Sequence, residues 1–437
     1  MPGETLFAPA SAPGRAAIAV WRLSGPNVAQ GLQLLTGGAL PAPRRAVVRT
    51  IKDPETGSAV DQAVVLWFPG PGSFTGEDAA EIHTHGGRAV AEAVGAVLGR
   101  LPGFRMAEPG EFSRRAFLNG KLDLTEAEAI ADLAAAETEA QRRQALTQAG
   151  GALTTLYDGW RVGLISLRAH LEADIEFPDE DIGDPVAQLS GQLKFLRAEI
   201  AAHLADARRG ERLRDGLTVA VVGAPNAGKS SLVNALARRD VAIVSPEAGT
   251  TRDLIEVHLD LGGYPVILVD TAGLRDTGGA VEAEGIARAR RRAEAADLVL
   301  ALFAVDAPPD KETAALLDER TIVVASKADL AKAALPYPDA VPLSVATGTG
   351  LDTLIGALSR RVANLLADRG APPPTRARHR EALTQCVAGL DAAVAAPLPE
   401  LAAEELRRAG DALGRITGRI DIEDMLDAVF RDFCIGK

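Results

Sequence analysis

Four short and almost continuous apolar runs constrain the fold of this chain more than any other feature. They are Leu217 to Val222, Val266 to Asp270, Leu298 to Asp306 and Thr321 to Ser326. Runs of this kind, separated by amphipathic segments, are typical of parallel strands that are buried on both faces. The sequence therefore predicts an α/β domain with a mostly parallel sheet in this part of the chain.

The segment after the first apolar run matches a phosphate-binding pattern. Residues 223–230 read Gly-Ala-Pro-Asn-Ala-Gly-Lys-Ser, which fits G-x-x-x-x-G-K-[ST] between a strand and a helix predicted from Ser231 to Arg238. Backbone N–H groups of such a loop wrap phosphates, and the dipole of the following helix adds to the attraction. We expect Lys229 to reach the β- and γ-phosphates and Ser230 to ligate Mg²⁺.

Three further signals follow in the order that a guanine-nucleotide domain requires. Asp270 ends an apolar run, where its carboxylate can hold the Mg²⁺ shell, and Gly273 follows it as a sensor of the γ-phosphate. Thr251 lies between the loop and Asp270, and we expect it to complete the Mg²⁺ coordination. Asp329 can accept hydrogen bonds from guanine N1–H and N2–H₂, and adenine offers neither donor.

Two positions depart from the usual GTPase pattern. Ser326 stands where GTPases usually have Asn, and we expect guanine preference to survive through Asp329. Leu274 follows Gly273, so that position provides no Gln to orient the attacking water. The acidic residues of the following loop, Asp276, Glu282 and Glu284, are the candidates for that task.

The rest of the chain shows two other sequence patterns. Short β-rich runs with Gly/Pro turns predict an α+β domain at the N-terminus, and Ala/Leu-rich helical segments flank the α/β part. Thr125 and Glu128 match a capping box that would open the first of these helices. An α/β unit between two helical segments indicates an inserted domain. The predicted domains are residues 1–118 (α+β), 119–212 (first helical part), 213–368 (nucleotide-binding) and 369–437 (second helical part).

Composition excludes some classes of protein. The 437 residues carry 47 Lys and Arg against 59 Asp and Glu, a net charge of −12, which argues against a protein that coats nucleic acid with its whole surface. Two cysteines cannot form a disulfide framework, and the N-terminus lacks the pattern of a signal peptide. We therefore expect a cytoplasmic protein with no membrane span.

Further motifs lie along the whole chain. They are Leu66-Trp-Phe-Pro-Gly-Pro71, Ser73-Phe-Thr-Gly-Glu-Asp78, Pro109-Gly-Glu-Phe-Ser113, Arg115-Ala-Phe-Leu-Asn119, Lys121-Leu-Asp-Leu124, Phe177-Pro-Asp-Glu180 and the terminal Cys434-Ile-Gly-Lys437. Together these motifs closely resemble those of the MnmE (TrmE) family of tRNA-modification GTPases. The resemblance implies three parts: a folate-binding and dimerisation domain, a discontinuous helical domain, and an inserted Ras-like GTPase domain.

The resemblance also implies a function. Proteins of this family form homodimers and work in a complex with MnmG, a partner that uses FAD and NADH. Together they install a carboxymethylaminomethyl or aminomethyl group on C5 of the wobble uridine, position 34 of certain tRNAs, with a one-carbon unit from a tetrahydrofolate derivative. The positions that match the folate pocket are Arg22, Glu81, Lys121 and Lys437, and Cys434 matches a reactive thiol.

The resemblance also implies how GTP is hydrolysed without a Gln after Gly273. The GTPase domains of the family pair when K⁺ binds beside the phosphates, and Glu282 matches the glutamate that orients the water. The positions that match K⁺ ligands are Asn226, Ser245, Glu247 and Thr250. The full set of residues that we expect to bind GTP is Asn226, Ala227, Gly228, Lys229, Ser230, Ser231, Ser245, Pro246, Glu247, Ala248, Gly249, Thr250, Thr251, Asp270, Thr271, Ala272, Gly273, Ser326, Lys327, Ala328, Asp329, Ser344, Val345 and Ala346.

Other readings stay open at this stage. A ribosome-assembly GTPase shares the phosphate loop, but usually carries an added basic RNA-binding domain, and none is visible after Gly370. A folate-dependent one-carbon transferase controlled by its GTPase domain is a third class. His83 and His85 lack the further ligands that a zinc site needs, and the arginines of 288–292 and 376–380 are typical of solvated helix faces.

Overall fold

The computed structural model describes residues 3–12, 14–176, 185–243, 256–270, 290–331, 337–420, 423–431 and 433–436. The chain forms two compact units. The N-terminal unit comprises Met1–Ala131, Gln148–Ser166 and Gly410–Lys437, and the central unit comprises Asp132–Thr147 and Leu167–Ala409. The boundaries predicted at residues 118, 212 and 368 stay predictions.

Helices and strands follow the three patterns of the sequence. Up to residue 215 they are β1 Thr5–Pro9, β2 Ile18–Ser24, α1 Val28–Thr36, β3 Val47–Lys52, β4 Ala59–Phe68, β5 Ala79–His85, α2 Arg88–Arg100, β6 Phe104–Met106, α3 Glu111–Leu118, α4 Leu124–Ala135, α5 Glu139–Ala149, α6 Ala152–Glu176, α7 Pro185–Ala205 and α8 Ala207–Asp215. Beyond it they are β7 Leu217–Gly223, α9 Lys229–Ala237, β8 Glu256–Leu261, β9 Tyr264–Asp270, β10 Leu298–Ala304, α10 Lys311–Ala314, β11 Thr321–Ser326, a 3₁₀ helix Ala328–Leu330, β12 Val341–Leu343, α11 Leu351–Leu366, α12 Ala377–Ala395, α13 Pro399–Thr417 and α14 Glu423–Arg431.

The N-terminal unit contains a six-stranded sheet in the order β3-β4-β5-β2-β1-β6. Successive side chains of a strand point to opposite faces, so each strand divides its residues between the two faces. Trp21 and Ile82 belong to the face whose apolar side chains form a buried core with the helix residues Leu32 and Leu98. Arg22 on β2 and Glu81 on β5, which are sequence neighbours of these two residues and pair with each other, belong to the other face.

The central unit contains a second six-stranded sheet in the order β12-β11-β10-β7-β9-β8. All neighbouring strands are parallel except β8 and β9, which form an antiparallel hairpin. Each of the four apolar runs forms a strand of this sheet, which confirms the predicted α/β architecture. The chain adds strands first on one side of β7 and then on the other. Ligands of α/β proteins bind at the carboxyl ends of strands where the order switches in this way.

Two helical segments that are distant in sequence contact each other inside the central unit. Arg197 on α7 forms an ion pair with Asp391 on α12, with an Nε–Oδ1 distance of 3.0 Å. Leu193 on α7 and Leu390 on α12 are both buried. These segments from the two sides of the α/β sequence therefore pack against each other, as expected for an inserted domain. None of the helices in the described part of the chain combines the length and the apolar character that a membrane span requires.

Helix α4 begins two residues earlier than the predicted capping box requires. The carboxylate of Asp123 accepts a hydrogen bond from the Glu126 N–H at 2.9 Å, and the Glu126 carboxylate accepts one from the Asp123 N–H at 2.9 Å. The helix therefore starts after Asp123, and the predicted cap of Thr125 and Glu128 is wrong. The Thr125 hydroxyl instead donates to the Asp123 carboxylate at 2.8 Å.

Replacing the capping carboxylate is expected to destabilise the N-terminal unit. Asp123→Ala leaves the Glu126 N–H and the Thr125 hydroxyl in the first turn of α4 without their acceptor, and loss of an N-cap side chain costs about 1–2 kcal/mol. Differential scanning calorimetry should show a lower melting temperature than that of the wild type. The exposed Asp240 provides a control, since Asp240→Ala should leave the melting temperature within error. Equal melting temperatures of Asp123→Ala and the wild type would contradict this cap.

Candidate functional site

The loop between β7 and α9 has the backbone conformation of a phosphate-binding turn. Asn226 has a φ of 62° and Gly228 a φ of 96°, both in the left-handed region. Gly adopts this region without steric cost, and Asn is among the few other residues that tolerate it. The left-handed residues turn the chain into α9, which begins at Lys229 and whose first turn has N–H groups without a partner inside the helix.

Lys229 lies inside the curve of this loop. Its Nζ donates to the carbonyl oxygen of Gly223 at 2.7 Å and to that of Ala224 at 2.9 Å. Burial lowers the pKa of the Lys229 ammonium overall, although the carboxylates of Asp270 and Asp310 act in the opposite direction. The two hydrogen bonds to carbonyl oxygens hold the ammonium inside the loop, where it can neutralise a bound anion.

Ser230 and Asp270 meet beside the loop. The Ser230 hydroxyl donates to Oδ2 of Asp270 at 2.7 Å. Asp270 is fully buried at the end of β9, the parallel neighbour of β7, so strand pairing brings the two side chains together. Their oxygens are donors of the kind that Mg²⁺ prefers.

The end of β11 is tied directly to the phosphate loop. The buried Ser326 hydroxyl donates to the Ala227 carbonyl oxygen at 2.6 Å. Lys327 follows in the left-handed conformation, and its ammonium pairs with Asp306 at 2.8 Å. Asp329 lies exposed on the 3₁₀ helix that follows, where its carboxylate is open to a ligand.

A third segment of the predicted set follows β12, which pairs with β11. Ser344 is buried, its N–H donates to the Thr349 carbonyl oxygen at 2.9 Å, and its hydroxyl accepts from the Thr347 N–H at 3.3 Å. Val345 and Ala346 continue this turn. Because the carboxyl ends of parallel strands share one edge of a sheet, this turn lies at the same edge as the phosphate loop.

Much of the remaining predicted set cannot be compared with the structure. The predicted site residues that lie outside the described part of the chain are Ser245, Pro246, Glu247, Ala248, Gly249, Thr250, Thr251, Thr271, Ala272, Gly273, Glu282 and Lys437. Their roles stay predictions. The described members (Asn226 to Ser231, Asp270, Ser326 to Asp329 and Ser344 to Ala346) all belong to elements at one edge of the central sheet.

The N-terminal unit contains a cavity of about 450 Å³, a size within the usual range of small-molecule sites. Arg22 and Glu81 line it from neighbouring positions of β2 and β5, with an Nη2–Oε1 distance of 3.6 Å. The Arg22 guanidinium lies 5.7 Å from the centre of the Phe74 ring and donates to the Gly436 carbonyl oxygen at 3.2 Å. The C-terminal segment therefore contacts this cavity wall.

The loop of residues 69–78 forms a wall of the cavity and is fixed by several hydrogen bonds. Lys121 Nζ donates to the Pro71 carbonyl oxygen at 3.1 Å, and the Asn119 amide donates to that of Thr75 at 2.7 Å. Glu77 pairs with Arg115 at 2.9 Å. The motif residues of α3 and the turn after it thus hold the loop, and Lys121 contacts the loop rather than the cavity lining.

Three other sequence candidates lie in the N-terminal unit. Cys434 is exposed, and its carbonyl oxygen accepts a hydrogen bond from the Gly110 N–H at 3.4 Å. His83 lies 3.1 Å from Glu81, and His85 lies 2.8 Å from Asp61. Within the described ranges, no group of three or more His, Cys, Asp or Glu side chains is arranged to hold a metal.

Sequence reasoning missed several residues of these sites. Arg44, Phe68 and Phe74 line the cavity, and Arg44 belongs to none of the motifs that we recognised. Asp306, the partner of Lys327, is the last residue of the predicted apolar run Leu298 to Asp306, at its carboxyl end. That position is the signal that could have found it, because ligands and their supporting residues collect at carboxyl ends of parallel strands.

Fold and site together define the class of protein. A phosphate loop follows the central strand, a serine–aspartate pair lies beside it, and a Lys-x-Asp segment follows β11 at the same edge of a mostly parallel sheet. This arrangement is that of a P-loop GTPase.

Comparison with known proteins identifies the family. Residues 5–121 match the family model "GTP-binding protein TrmE N-terminus", and residues 124–434 match "MnmE helical domain". The tRNA modification GTPases MnmE of Rhodospirillum rubrum and Parvibaculum lavamentivorans are each 55% identical to this chain over 99% of its length. The match covers 99% of the Rhodospirillum rubrum protein and 100% of the Parvibaculum lavamentivorans protein. The chain belongs to the MnmE (TrmE) family of tRNA modification GTPases.

A solved structure of Aquifex aeolicus Era, the Y63A variant bound to GDP and aluminium fluoride, is also similar to part of the chain. It is 26% identical, covers 39% of this chain and 66% of its own, and superposes with a TM-score of 0.27.

Removing the Ser326 hydroxyl is expected to weaken nucleotide binding. Ser326→Ala leaves the Ala227 carbonyl oxygen without its buried donor. Such a loss costs about 1–3 kcal/mol, which corresponds to roughly 5- to 150-fold in affinity when the whole cost is borne by the nucleotide-bound state. Titration with a fluorescent GDP analogue measures this change. Thr321→Ala is the matched control, because it removes a hydroxyl from the opposite end of the same strand. Equal affinities of wild type and Ser326→Ala would show that the hydrogen bond between Ser326 and Ala227 does not support nucleotide binding.

Proposed function

We propose that this protein hydrolyses GTP and thereby drives modification of the wobble uridine of certain tRNAs in the cytoplasm. The observation that carries the proposal is the convergence of Lys229, Ser230 and Asp270 at one loop, in a chain that also contains a cavity with paired Arg22 and Glu81. The first site has the chemistry to bind a nucleoside triphosphate. The second has the chemistry to bind a small molecule with charged and aromatic parts.

Lys229 and the loop backbone account for phosphate binding and charge neutralisation. The ammonium neutralises negative charge on the β- and γ-phosphates, and it is already oriented by two carbonyl oxygens. Asp329 provides the carboxylate that selects guanine. The ion pair between Lys327 and Asp306 holds the segment that carries Asp329. Glu282 is the residue that we propose to orient the attacking water.

Mg²⁺ fits the residues beside the loop. Ser230 and Asp270 present a hydroxyl and a carboxylate oxygen 2.7 Å apart, a donor set of hard oxygens. Ser230 would ligate the ion directly with Thr251, and Asp270 would hold its shell. When bound, Mg²⁺ neutralises the charge of the phosphate oxygens.

K⁺ fits at the carboxamide of Asn226. This side chain is exposed at the left-handed turn of the loop, next to the position of the phosphates. Its oxygen is a ligand type that K⁺ accepts, and Ser245, Glu247 and Thr250 are proposed to complete the set. A cation here neutralises charge that develops on the leaving oxygen, as an arginine finger does.

Hydrolysis is therefore expected to depend on the monovalent cation. At equal ionic strength, the GTP turnover number should be roughly tenfold higher or more in KCl than in NaCl, because K⁺ stabilises the developing charge. Asn226→Ala should lower the K⁺ rate towards the Na⁺ rate. Asn234, which is exposed on α9, provides a matched carboxamide control, and Asn234→Ala should keep the stimulation. Equal rates of the wild type in the two salts would refute the K⁺ mechanism.

A reduced folate fits the cavity of the N-terminal unit. Arg22 offers a cation, Glu81 a carboxylate for the donor edge of a pterin, and Phe74 an aromatic face. The cavity volume of about 450 Å³ suits a ligand of this size. We propose Arg22, Glu81, Lys121 and Lys437 as its binding residues, with Lys121 acting through the Pro71 carbonyl that it holds. When bound, the folate supplies the one-carbon unit, and we propose that the Cys434 thiol takes part in the modification.

The same sheet offers a surface for a second copy of the chain. A row of paired positions runs across four strands through Val48, Val64, His83 and Val20. Val48 is 58% exposed, as is Ile18 on the same face. Exposed apolar sheet faces mark interaction sites. We propose that this face forms the homodimer, and that the dimer works with MnmG, which supplies FAD and NADH chemistry, on tRNA.

Cells that lack this protein are expected to lose the C5 modification of the wobble uridine. Nucleoside mass spectrometry of their tRNA measures this loss, and expression of the wild type should restore the modified nucleoside. Lys229→Ala should fail to restore it, because the loop then lacks the cation that neutralises the phosphates. Unchanged tRNA together with defective ribosomal subunits would refute the proposal and favour the ribosome-assembly GTPase.

A further inference from the structure

Arg44 is a cation of the N-terminal cavity whose charge is balanced by no carboxylate in the described part of the chain. The charged residues that line the cavity are Arg22, Arg44 and Glu81. Glu81 pairs with Arg22 at 3.6 Å and with His83 at 3.1 Å. Among the residues that the structure describes, no carboxylate forms an ion pair with Arg44. The net charge of the lining is therefore positive, and the excess lies on Arg44.

The surroundings of Arg44 orient its guanidinium without neutralising it. Its Nη2 donates to the carbonyl oxygen of Gly72, on the loop that forms a cavity wall. Its central carbon lies 5.9 Å from the centre of the Phe68 ring, and its backbone N–H donates to the Trp67 carbonyl oxygen at 2.8 Å. An arginine has five N–H donors, so most of them remain available to a ligand.

The backbone at Arg44 supports a functional role. Its φ of 61° lies in the left-handed region, which is unfavourable for a residue with a long side chain. Unfavourable conformations of this kind cluster at ligand-binding positions. The neighbouring Arg45 has an ordinary backbone and does not line the cavity, so the strained residue is the one whose side chain reaches it.

We propose that Arg44 binds a carboxylate of the glutamate tail of the reduced folate. This inference rests on the proposed assignment of a folate to the cavity. An exposed guanidinium forms two parallel hydrogen bonds with a carboxylate, a geometry that a lysine cannot match. Arg22, which shares its charge with Glu81, is then left to contact the rest of the ligand. Arg44 thus distinguishes folates with a charged tail from neutral pterins.

The test compares two probes by isothermal titration calorimetry on the full chain. The first is 5-formyltetrahydrofolate, and the second is its analogue with both glutamate carboxylates converted to amides. Arg44→Gln should weaken binding of the first roughly 5- to 20-fold, because a charge-assisted hydrogen bond is lost at a partly exposed site. The same variant should bind the diamide as the wild type does. Arg44→Lys should fall between wild type and Arg44→Gln for the first probe.

The matched control is Arg45→Gln, which makes the same charge change one residue away. It should bind both probes within about twofold of the wild type. Equal binding of 5-formyltetrahydrofolate by wild type and Arg44→Gln would overturn the role of Arg44. An equal loss for both probes would also overturn it, because Arg44 would then only hold the loop through Gly72. If the wild type binds neither probe, the folate assignment itself fails and the role of Arg44 falls with it.

Discussion

The nucleotide site depends on the burial of β7 between two parallel neighbours. β9 and β10 both pair with β7, so the carboxyl ends of three strands meet at one edge. Asp270 then lies beside the loop that follows β7, and Ser230 on the next helix reaches it at 2.7 Å. Burial of Asp270 is tolerated because it accepts this bond, and an unpaired buried carboxylate would be costly. The packing of the strands thus fixes the distance between the groups proposed to bind phosphate and metal.

The N-terminal cavity depends on a different kind of constraint. Its wall, residues 69–78, is a loop without regular structure, and polar side chains of a neighbouring helix and turn replace the hydrogen bonds that a strand would provide. Arg115 connects this loop to the helix through Glu77, and it also donates a hydrogen bond to the carbonyl oxygen of Glu4, the residue before β1. Glu111, on the same helix, shows the same balance. Burial raises its pKa, but hydrogen bonds from Arg105 and the Glu108 N–H outweigh burial, so the pKa is lowered overall. A loop held by charges in this way can approach a polar ligand closely and still keep its shape.

The sequence predicted the elements whose signal is local. The four apolar runs became parallel strands because a strand buried on both faces needs a continuous apolar sequence. β8 was missed, since it lies at the edge of the sheet and alternates polar with apolar residues. The cap of α4 was placed two residues late because Asp123 with Glu126 and Thr125 with Glu128 match the same pattern, and an Ala-rich helix gives no apolar stripe to choose between them. Arg44 was missed because strand pairing, rather than sequence spacing, brings it to the cavity.

Ser326 shows how a substitution in a motif can keep one role of the usual residue and change another. An asparagine side chain is long enough, and has enough donors, to contact the phosphate loop and a ligand together. The serine hydroxyl has one donor, and that donor is committed to the Ala227 carbonyl at 2.6 Å. The hydrogen bond between the end of β11 and the phosphate loop is therefore kept, while the proposed contact with the base is left to Asp329. Since adenine lacks both donors that a carboxylate at Asp329 accepts, selectivity can survive this change even where affinity decreases.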